Sequence, residues 1–330
     1  MHETSLPRRD LLGGLLGLGA ALAPLPALAQ DAYPARPVRI IIPWPPGSLT
    51  DMSTRLAADQ LQAEMRQPFV IDYRPGGNGM IGTEAAARAA ADGYTLALGT
   101  AETICINPTL FRNVPYNAAR DFTPVASLAV QPLVLLANPG FAANDLPALI
   151  ARAKAEPGAV RFGSWGEGSS AHLAMEMLKA ATGIDVLHVT YRGSPQVVSD
   201  LAAGVIDIAF AGQWAMQELV PSGRVKALAV TAPQRVALAP SLPAVAETVP
   251  GYAVSLWYGL MAPTGTPEAV IQKLNAGVQR ALAVPEVRQR LEGAGGSAMP
   301  LSVPAFAAFL EAETARWQAA IRSSGVQLSI

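Results

Sequence analysis

The chain has 330 residues, 51% of them hydrophobic and 15% charged, and its formal net charge is −1. A near-neutral chain lacks the basic face that nucleic acids require, so we expect no nucleic-acid partner. The single cysteine, Cys105, excludes an internal disulfide, and we interpret it as a small buried residue.

The first segment is typical of an export signal. Arg8 and Arg9 precede an apolar run from Leu11 to Leu28, and Ala27-Leu28-Ala29 fits a small-x-small cleavage site. Residues 1–30 are therefore predicted to be a signal peptide, and the Sec and twin-arginine routes both stay open. No later apolar stretch is long enough to span a bilayer, so we expect a soluble, exported protein. We also expect a monomer.

From residue 38 onward, strand patterns alternate with helix patterns. "VRIIIPW" (38–44) is a continuous apolar run, which indicates a strand buried on both faces. Residues 49–65 have helical apolar spacing, and "FVIDY", an alanine-rich helix through Ala91, and "YTLALGT" repeat the order. This order predicts a mostly parallel sheet with helices on both faces.

The middle of the chain repeats the pattern between two long extended stretches. The helix in "ANDLPALIARAKAEPG" has Asn144 or Asp145 as its N-cap, and strand patterns follow it. The extended stretches, 122–138 and 254–263, are the outgoing and returning connections that an inserted domain needs. After the second one, only helical patterns remain.

We therefore predict an α/β fold of two lobes. Lobe 1 comprises residues 31–128 plus 254–330, and lobe 2 comprises residues 129–253. Two extended crossover strands make a hinge, and a ligand is expected in the cleft between the lobes.

Two loops are candidate anion sites. "IIPWPPGSLTD" (41–51) and "GSWGEGSSAHL" (163–173) each follow a strand and open a helix, one in each predicted lobe. Helix N-termini present unpaired N–H groups and partial positive charge, so the pair is expected to hold a carboxylate between them. The alternative is that Gly-rich strand-to-helix turns are routine in α/β folds.

Enzyme motifs are missing from the sequence after residue 30. Gly163, Gly166 and Gly168 do not have dinucleotide spacing, no Walker lysine follows either loop, and no G-x-S-x-G elbow occurs. His172 and Glu176 have i, i+4 spacing, but one histidine with one carboxylate is a weak metal signal. We expect no catalytic residue, no metal and no cofactor. The remaining enzyme hypothesis uses His172 with Glu167 or Asp207 as acid and base.

Fragments along nearly the whole exported chain resemble the Bug (TctC-like) family of periplasmic receptors of tripartite tricarboxylate transporters. They include "YPARPVRIIIPWPPGSLTD", "RPGGNGMIG", "DFTPVA", "GSWGEGSSAHLAMEMLK", "HVTYRGSPQVVSDLAAGVIDIAF" and "WYGLMAPTGTP". The resemblance implies the two-lobed periplasmic-binding-protein fold and an organic carboxylate ligand. It also implies TctA/TctB-type membrane partners, or a signalling partner where these are absent.

Site residues follow from the matching motifs. The implied ligand-binding residues are Trp44, Pro46, Gly47, Ser48, Thr50, Asp51, Thr100, Ala101, Ser164, Trp165, Gly166, Gly168, Ser169, His172, Tyr191, Gly193, Ser194 and Asp207. Asp51 is expected to brace the loop, since a free carboxylate would repel the ligand.

The chain departs from the common family pattern at several of these positions. Trp44 and Ser48 stand where Phe and Gly are usual, Trp165 and Glu167 where small or amide residues are frequent, and Arg192 where Lys is common. An acidic Glu167 beside the ligand would oppose binding unless it points away. Trp44 and Trp165 favour an aromatic or apolar carboxylate, unless both stack on the protein backbone, and Trp257 is expected in the core.

Overall fold

The strand-helix pattern predicted from residue 38 is present in the computed structural model, which describes residues 1–2 and 33–324. Almost all of the predicted signal peptide lies outside the described residues. The first elements are β1 (Val38–Ile42), α1 (Leu49–Met65), β2 (Phe69–Tyr73), α2 (Met80–Ala87) and β3 (Thr95–Thr100). β1 pairs in parallel with both β2 and β3, and helix α2 ends at Ala87 instead of Ala91.

A π-helical segment, Ala101–Ile106, follows β3 directly and was not predicted. Its Thr100 cap exchanges hydrogen bonds with Thr103, which fixes the turn out of the strand. The elements that follow are α3 (Asn107–Leu110), α4 (Ala118–Asp121) and the long strand β4 (Phe122–Ala137).

The middle of the chain forms a second strand-helix block. Its elements are α5 (Leu146–Ala155), β5 (Arg161–Ser164), α6 (Ser170–Thr182), β6 (Leu187–Thr190), α7 (Ser194–Ala203), β7 (Ile208–Gly212), α8 (Gln213–Leu219), β8 (Lys226–Val230) and α9 (Val245–Thr248). The predicted cap of α5 is confirmed at Asp145, whose side chain accepts the Ala148 N–H. β5 pairs in parallel with β6 and β7.

The chain then returns through the second extended stretch. The last elements are β9 (Ser255–Pro263), α10 (Glu268–Ala283), α11 (Pro285–Gly293), β10 (Ser297–Ala298) and α12 (Val303–Ser324). The prediction of helices alone after the return was wrong, because β10 pairs with β4. A strand of two residues is too short to show a periodic pattern, so it cannot be predicted from the sequence.

The sheet order β2-β1-β3-β9-β4-β7-β5-β6 places the two extended strands between the two parallel sets. β4 pairs with β9 along residues 122–132 and with β7 and β8 along residues 133–137, so one strand serves both sets. The predicted lobe boundaries stay a prediction. Among the described residues, no helix has the length and apolar character to cross a membrane.

The core on both sides of the sheet is apolar, as the continuous strand patterns predict. Ile40, Ile41 and Ile42 are fully buried, and Trp257 packs edge-on against Phe306 and Phe309. Cys105 is also buried, and burial raises the pKa of its thiol to about 12, as expected for a structural cysteine.

Candidate functional site

The loops that follow five parallel strands meet at one cavity. Its volume is about 130 Å³. Residues after β1, β3, β5, β6 and β7 line it, together with the middle of β4 and the start of β9. The lining residues are Trp44, Pro45, Pro46, Gly47, Ser48, Leu49, Thr50, Thr100, Glu102, Gln131, Trp165, Arg192, Gly193, Ser194, Pro195, Gly212, Trp214, Leu256, Trp257 and Tyr258.

The N-terminus of α1 opens onto this cavity without a side-chain cap. Ser48 has extended backbone angles at the N-cap, but its hydroxyl caps no N–H. The N–H groups of Leu49 and Thr50 have no hydrogen-bond partner within the described part of the chain. Both residues line the cavity, so the helix offers unpaired donors and its positive dipole end there.

Asp51 braces the loop behind this helix end, as the sequence suggested. Its carboxylate accepts hydrogen bonds from the Gly47 N–H (3.2 Å), from Arg55 Nε (2.8 Å) and from the Tyr73 hydroxyl. Gly47 has φ of +96°, a conformation that favours glycine. Asp51 does not line the cavity, and its charge is balanced by Arg55.

The start of α7 also lies at the cavity without a side-chain cap. Gly193 is the N-cap, and Pro195 in the first turn has no N–H. The Ser194 N–H has no partner among residues 33–324. The predicted residues Gly193 and Ser194 therefore belong to a second uncapped helix end at the cavity.

Several N–H donors at the start of α6, which was predicted as the second anion site, are paired with the protein's own groups. The Ser169 side chain accepts the His172 N–H, and the Gly168 N–H donates to His172 Nδ1 at 3.0 Å. Glu102 Oε1 accepts from both the N–H (3.3 Å) and the hydroxyl (2.6 Å) of Ser170.

The remaining predicted residues have structural contacts outside the cavity. Ser164, Gly166, Gly168, Ser169, His172, Ala101, Tyr191 and Asp207 do not line it. The Tyr191 N–H donates to the Ser164 carbonyl, and burial raises the pKa of its hydroxyl to about 12. Asp207 accepts two hydrogen bonds from the Arg161 guanidinium, at 2.7 and 3.0 Å. Burial raises the pKa of Asp207, but the Arg161 hydrogen bonds outweigh it and leave the pKa below its usual value.

Several lining residues were not predicted from the sequence, and Glu102 is the acidic one among them. It is 5% exposed and lies in the π-helical segment beside Thr100, another lining residue. Its partner Ser170 is 68 residues away along the chain, so no local pattern could reveal the contact. The sequence did offer one signal for Glu102: it is an acidic residue that comes directly after a strand ending at the site.

Tryptophan side chains dominate the apolar lining. Trp44, Trp165, Trp214 and Trp257 all contribute, and Glu102 and Arg192 supply its charges. Arg192 is exposed and makes no ion pair with a described residue. Glu167, which would have opposed an anionic ligand, is exposed and does not line the cavity.

The two histidines of the described chain beyond His2 form a stack in which His172 is buried and His188 partly buried. Their ring centroids are 4.1 Å apart at 11°, and His188 Nε2 lies 2.6 Å from Ser164 Oγ. Burial lowers the pKa of each to about 4, and for His188 the neighbouring His172 adds to the effect. Among the described residues, neither Glu167 nor Asp207 forms a hydrogen bond or an ion pair with His172, and no cluster of three metal-binding side chains occurs.

Acid should destabilise the protein through this stack. Between pH 6.5 and about 4 the unfolded histidines take up protons that the folded ones do not, so the free energy of unfolding falls as pH falls. The loss is bounded at about 1.4 kcal/mol per pKa unit for each histidine. Urea unfolding at pH 7 and pH 4.5 measures it. The double variant His172→Asn/His188→Gln should lose less than the wild type over that interval, and equal losses would contradict the assignment.

Comparisons with known proteins show which family has this architecture. The family described as "Tripartite tricarboxylate transporter family receptor" (TctC) matches residues 53–326. "Protein BugT" of Bordetella pertussis is 36% identical over 95% of this chain and 97% of its own length.

Two solved structures show the same likeness in three dimensions. "R. palustris Rpa4515 with adipate" is 33% identical with a TM-score of 0.85, over 90% of this chain and 100% of that one. "MatC (Rpa3494) from Rhodopseudomonas palustris with bound malate" is 30% identical with a TM-score of 0.81, over 88% and 100%.

The matching family and the solved neighbours identify the chain as a solute-binding protein of the two-lobed periplasmic-binding-protein class. The expected α/β fold class is confirmed. The chain belongs to the tripartite tricarboxylate transporter receptor family, and the resemblance to Bug proteins found in the sequence is confirmed.

Proposed function

We propose that this protein is a periplasmic receptor that binds an organic carboxylate in the cavity lined by α1 and α7. The observation that carries the proposal is the uncapped α1 end, where the Leu49 and Thr50 N–H groups lack partners. Each charge-assisted hydrogen bond to a carboxylate is worth about 1.5–3 kcal/mol. A few such bonds offset the cost of removing the anion from water.

Closure of two lobes is the proposed capture mechanism. The α1 end would lie on one lobe (31–128 plus 254–330) and the α7 end on the other (129–253). Only the closed state lets both ends reach one ligand, so ligand binding favours closure. The β4 segment that changes partners at Pro132 and Leu133 is the proposed hinge, together with the start of β9.

The body of the ligand is proposed to be aromatic or otherwise apolar. Trp44, Trp165 and Trp214 line the cavity, and aromatic walls favour flat apolar groups. Rpa4515 and MatC were solved with adipate and malate, both carboxylates. Calorimetric titration with benzoate-type acids and with C4 to C6 dicarboxylates tests the proposal. A clear preference for the dicarboxylates would contradict the proposed aromatic ligand.

Arg192 should matter only for ligands with a second carboxylate. It is the cationic lining residue, and it is exposed and lacks an ion pair with any described residue. Arg192→Ala is expected to weaken dicarboxylates by about fivefold and monocarboxylates by less than twofold, since one exposed charge contact is worth about 1 kcal/mol. Calorimetry on both ligand classes measures this. Equal losses of affinity for the two ligand classes would show that Arg192 does not bind the second carboxylate.

Delivery to a TctA/TctB-type membrane transporter is the proposed role of the closed form. Exposed loops around the cavity would then be the surface offered to the membrane subunits. Co-purification of the ligand-loaded protein with the two membrane subunits tests this role. A signalling partner is the alternative where such subunits are absent.

A further inference from the structure

One polar side chain on the inner wall of the cavity has no partner in the protein. Gln131 lies in the middle of β4 and is 3% exposed. Its Oε1 is buried without a hydrogen bond, and no described residue bonds to either end of its amide. Leaving a buried amide unpaired costs about 1–3 kcal/mol, so something other than this chain should complete it.

The surroundings of Gln131 hold the amide at the cavity. Its strand partner is Leu256, another lining residue. A Cβ added at Gly212 would lie 2.8 Å from Gln131 Nε2 and 2.8 Å from Trp214 Cδ1. Glycine at 212 therefore leaves room for the amide and the indole side by side, and the amide is fixed by packing among apolar groups.

We propose that the solute carries an uncharged hydroxyl group that hydrogen-bonds the Gln131 amide, in addition to the carboxylate held at α1. This inference rests on the proposed function and names the ligand class more narrowly, as a hydroxylated apolar carboxylate. A hydroxyl both donates and accepts, so it pairs with the carbonyl or the amino side of the amide.

The charges of the cavity argue against a second carboxylate at this wall. Glu102 also lines the cavity and is 5% exposed, so a second anion inside would face an acidic side chain. Arg192, the lining cation, is exposed and not on the buried wall. A neutral hydroxyl completes Gln131 without that repulsion.

Matched ligand pairs test the proposal on the full exported protein. The pairs are 4-hydroxybenzoate with 4-methylbenzoate, 3-hydroxybenzoate with 3-methylbenzoate, and 6-hydroxyhexanoate with heptanoate, each differing by hydroxyl against methyl. In at least one pair the hydroxyl member should bind about tenfold more tightly, as one net hydrogen bond implies. In Gln131→Met that preference should vanish.

Gln217→Met is the matched control. The Gln217 Oε1 is also buried without a partner, but it lies outside this cavity, so the variant should keep the wild-type preference. If wild type binds the carboxylates without preferring any hydroxyl member, or if Gln131→Met keeps the preference, the Gln131 proposal is overturned while the receptor function stands. Tighter binding of terephthalate than of every hydroxyl ligand also overturns it. If no carboxylate binds at all, the proposed function itself fails.

Discussion

Thr50→Pro should weaken carboxylate binding by about 10- to 100-fold while the protein stays folded. The substitution removes one unpaired N–H at the α1 end, a donor worth about 1.5–3 kcal/mol to a carboxylate. Thr50 is the second residue of α1, where a proline ring meets no helical carbonyl behind it. α5 and α7 of this chain already carry proline at the second position, so the backbone tolerates it.

Thr50→Val is the control for the lost side chain. It removes the hydroxyl, which bonds Tyr258, but keeps the N–H. Calorimetry should give near-wild-type affinity for Thr50→Val and the full loss for Thr50→Pro. If Thr50→Pro binds as tightly as Thr50→Val, the carboxylate is not held at this helix end.

Glu102→Ala should lower the free energy of unfolding by about 3 kcal/mol, because it leaves two fully buried donors unpaired. Both donors belong to Ser170, which is 0% exposed at the start of α6. The loss also removes the negative charge that complements the α6 dipole. Urea unfolding measures the change.

Glu102→Gln separates hydrogen bonding from charge. Its amide oxygen still accepts from Ser170, so about half of the lost stability should return. Wild-type stability for Glu102→Ala would show that water or another group replaces the carboxylate, and that the α6 end is not closed by Glu102.

The strands and their order along the chain were predictable because strands buried on both faces have largely apolar sequences. β1 is apolar and buried except at Arg39, and β3 is buried at every position. The Asp145 cap was predictable as well, since a cap bonds to its own helix within three residues. The missing cap of α1 was not predictable, because Ser48 at its N-cap is a residue type that usually caps a helix.

Contacts between distant segments were not predictable. β10 exists because Ser297 and Ala298 pair with Val130 and Ala129 of β4, far earlier in the chain. The pairing of Ser170 at the start of α6 depends on the distant Glu102, whereas the Ser194 N–H at the start of α7 has no partner among the described residues. Motif resemblance named the α7 residues Gly193 and Ser194, but it could not show which donors were already paired.

A crystal structure of the protein with its bound solute tests whether the α1 end holds the carboxylate. We expect density in the cavity with carboxylate oxygens about 2.7–3.1 Å from the N–H nitrogens of Leu49 or Thr50. Density for the carboxylate at the start of α6, with Glu102 displaced from Ser170, would contradict it, as would a cavity that stays empty at saturating carboxylate.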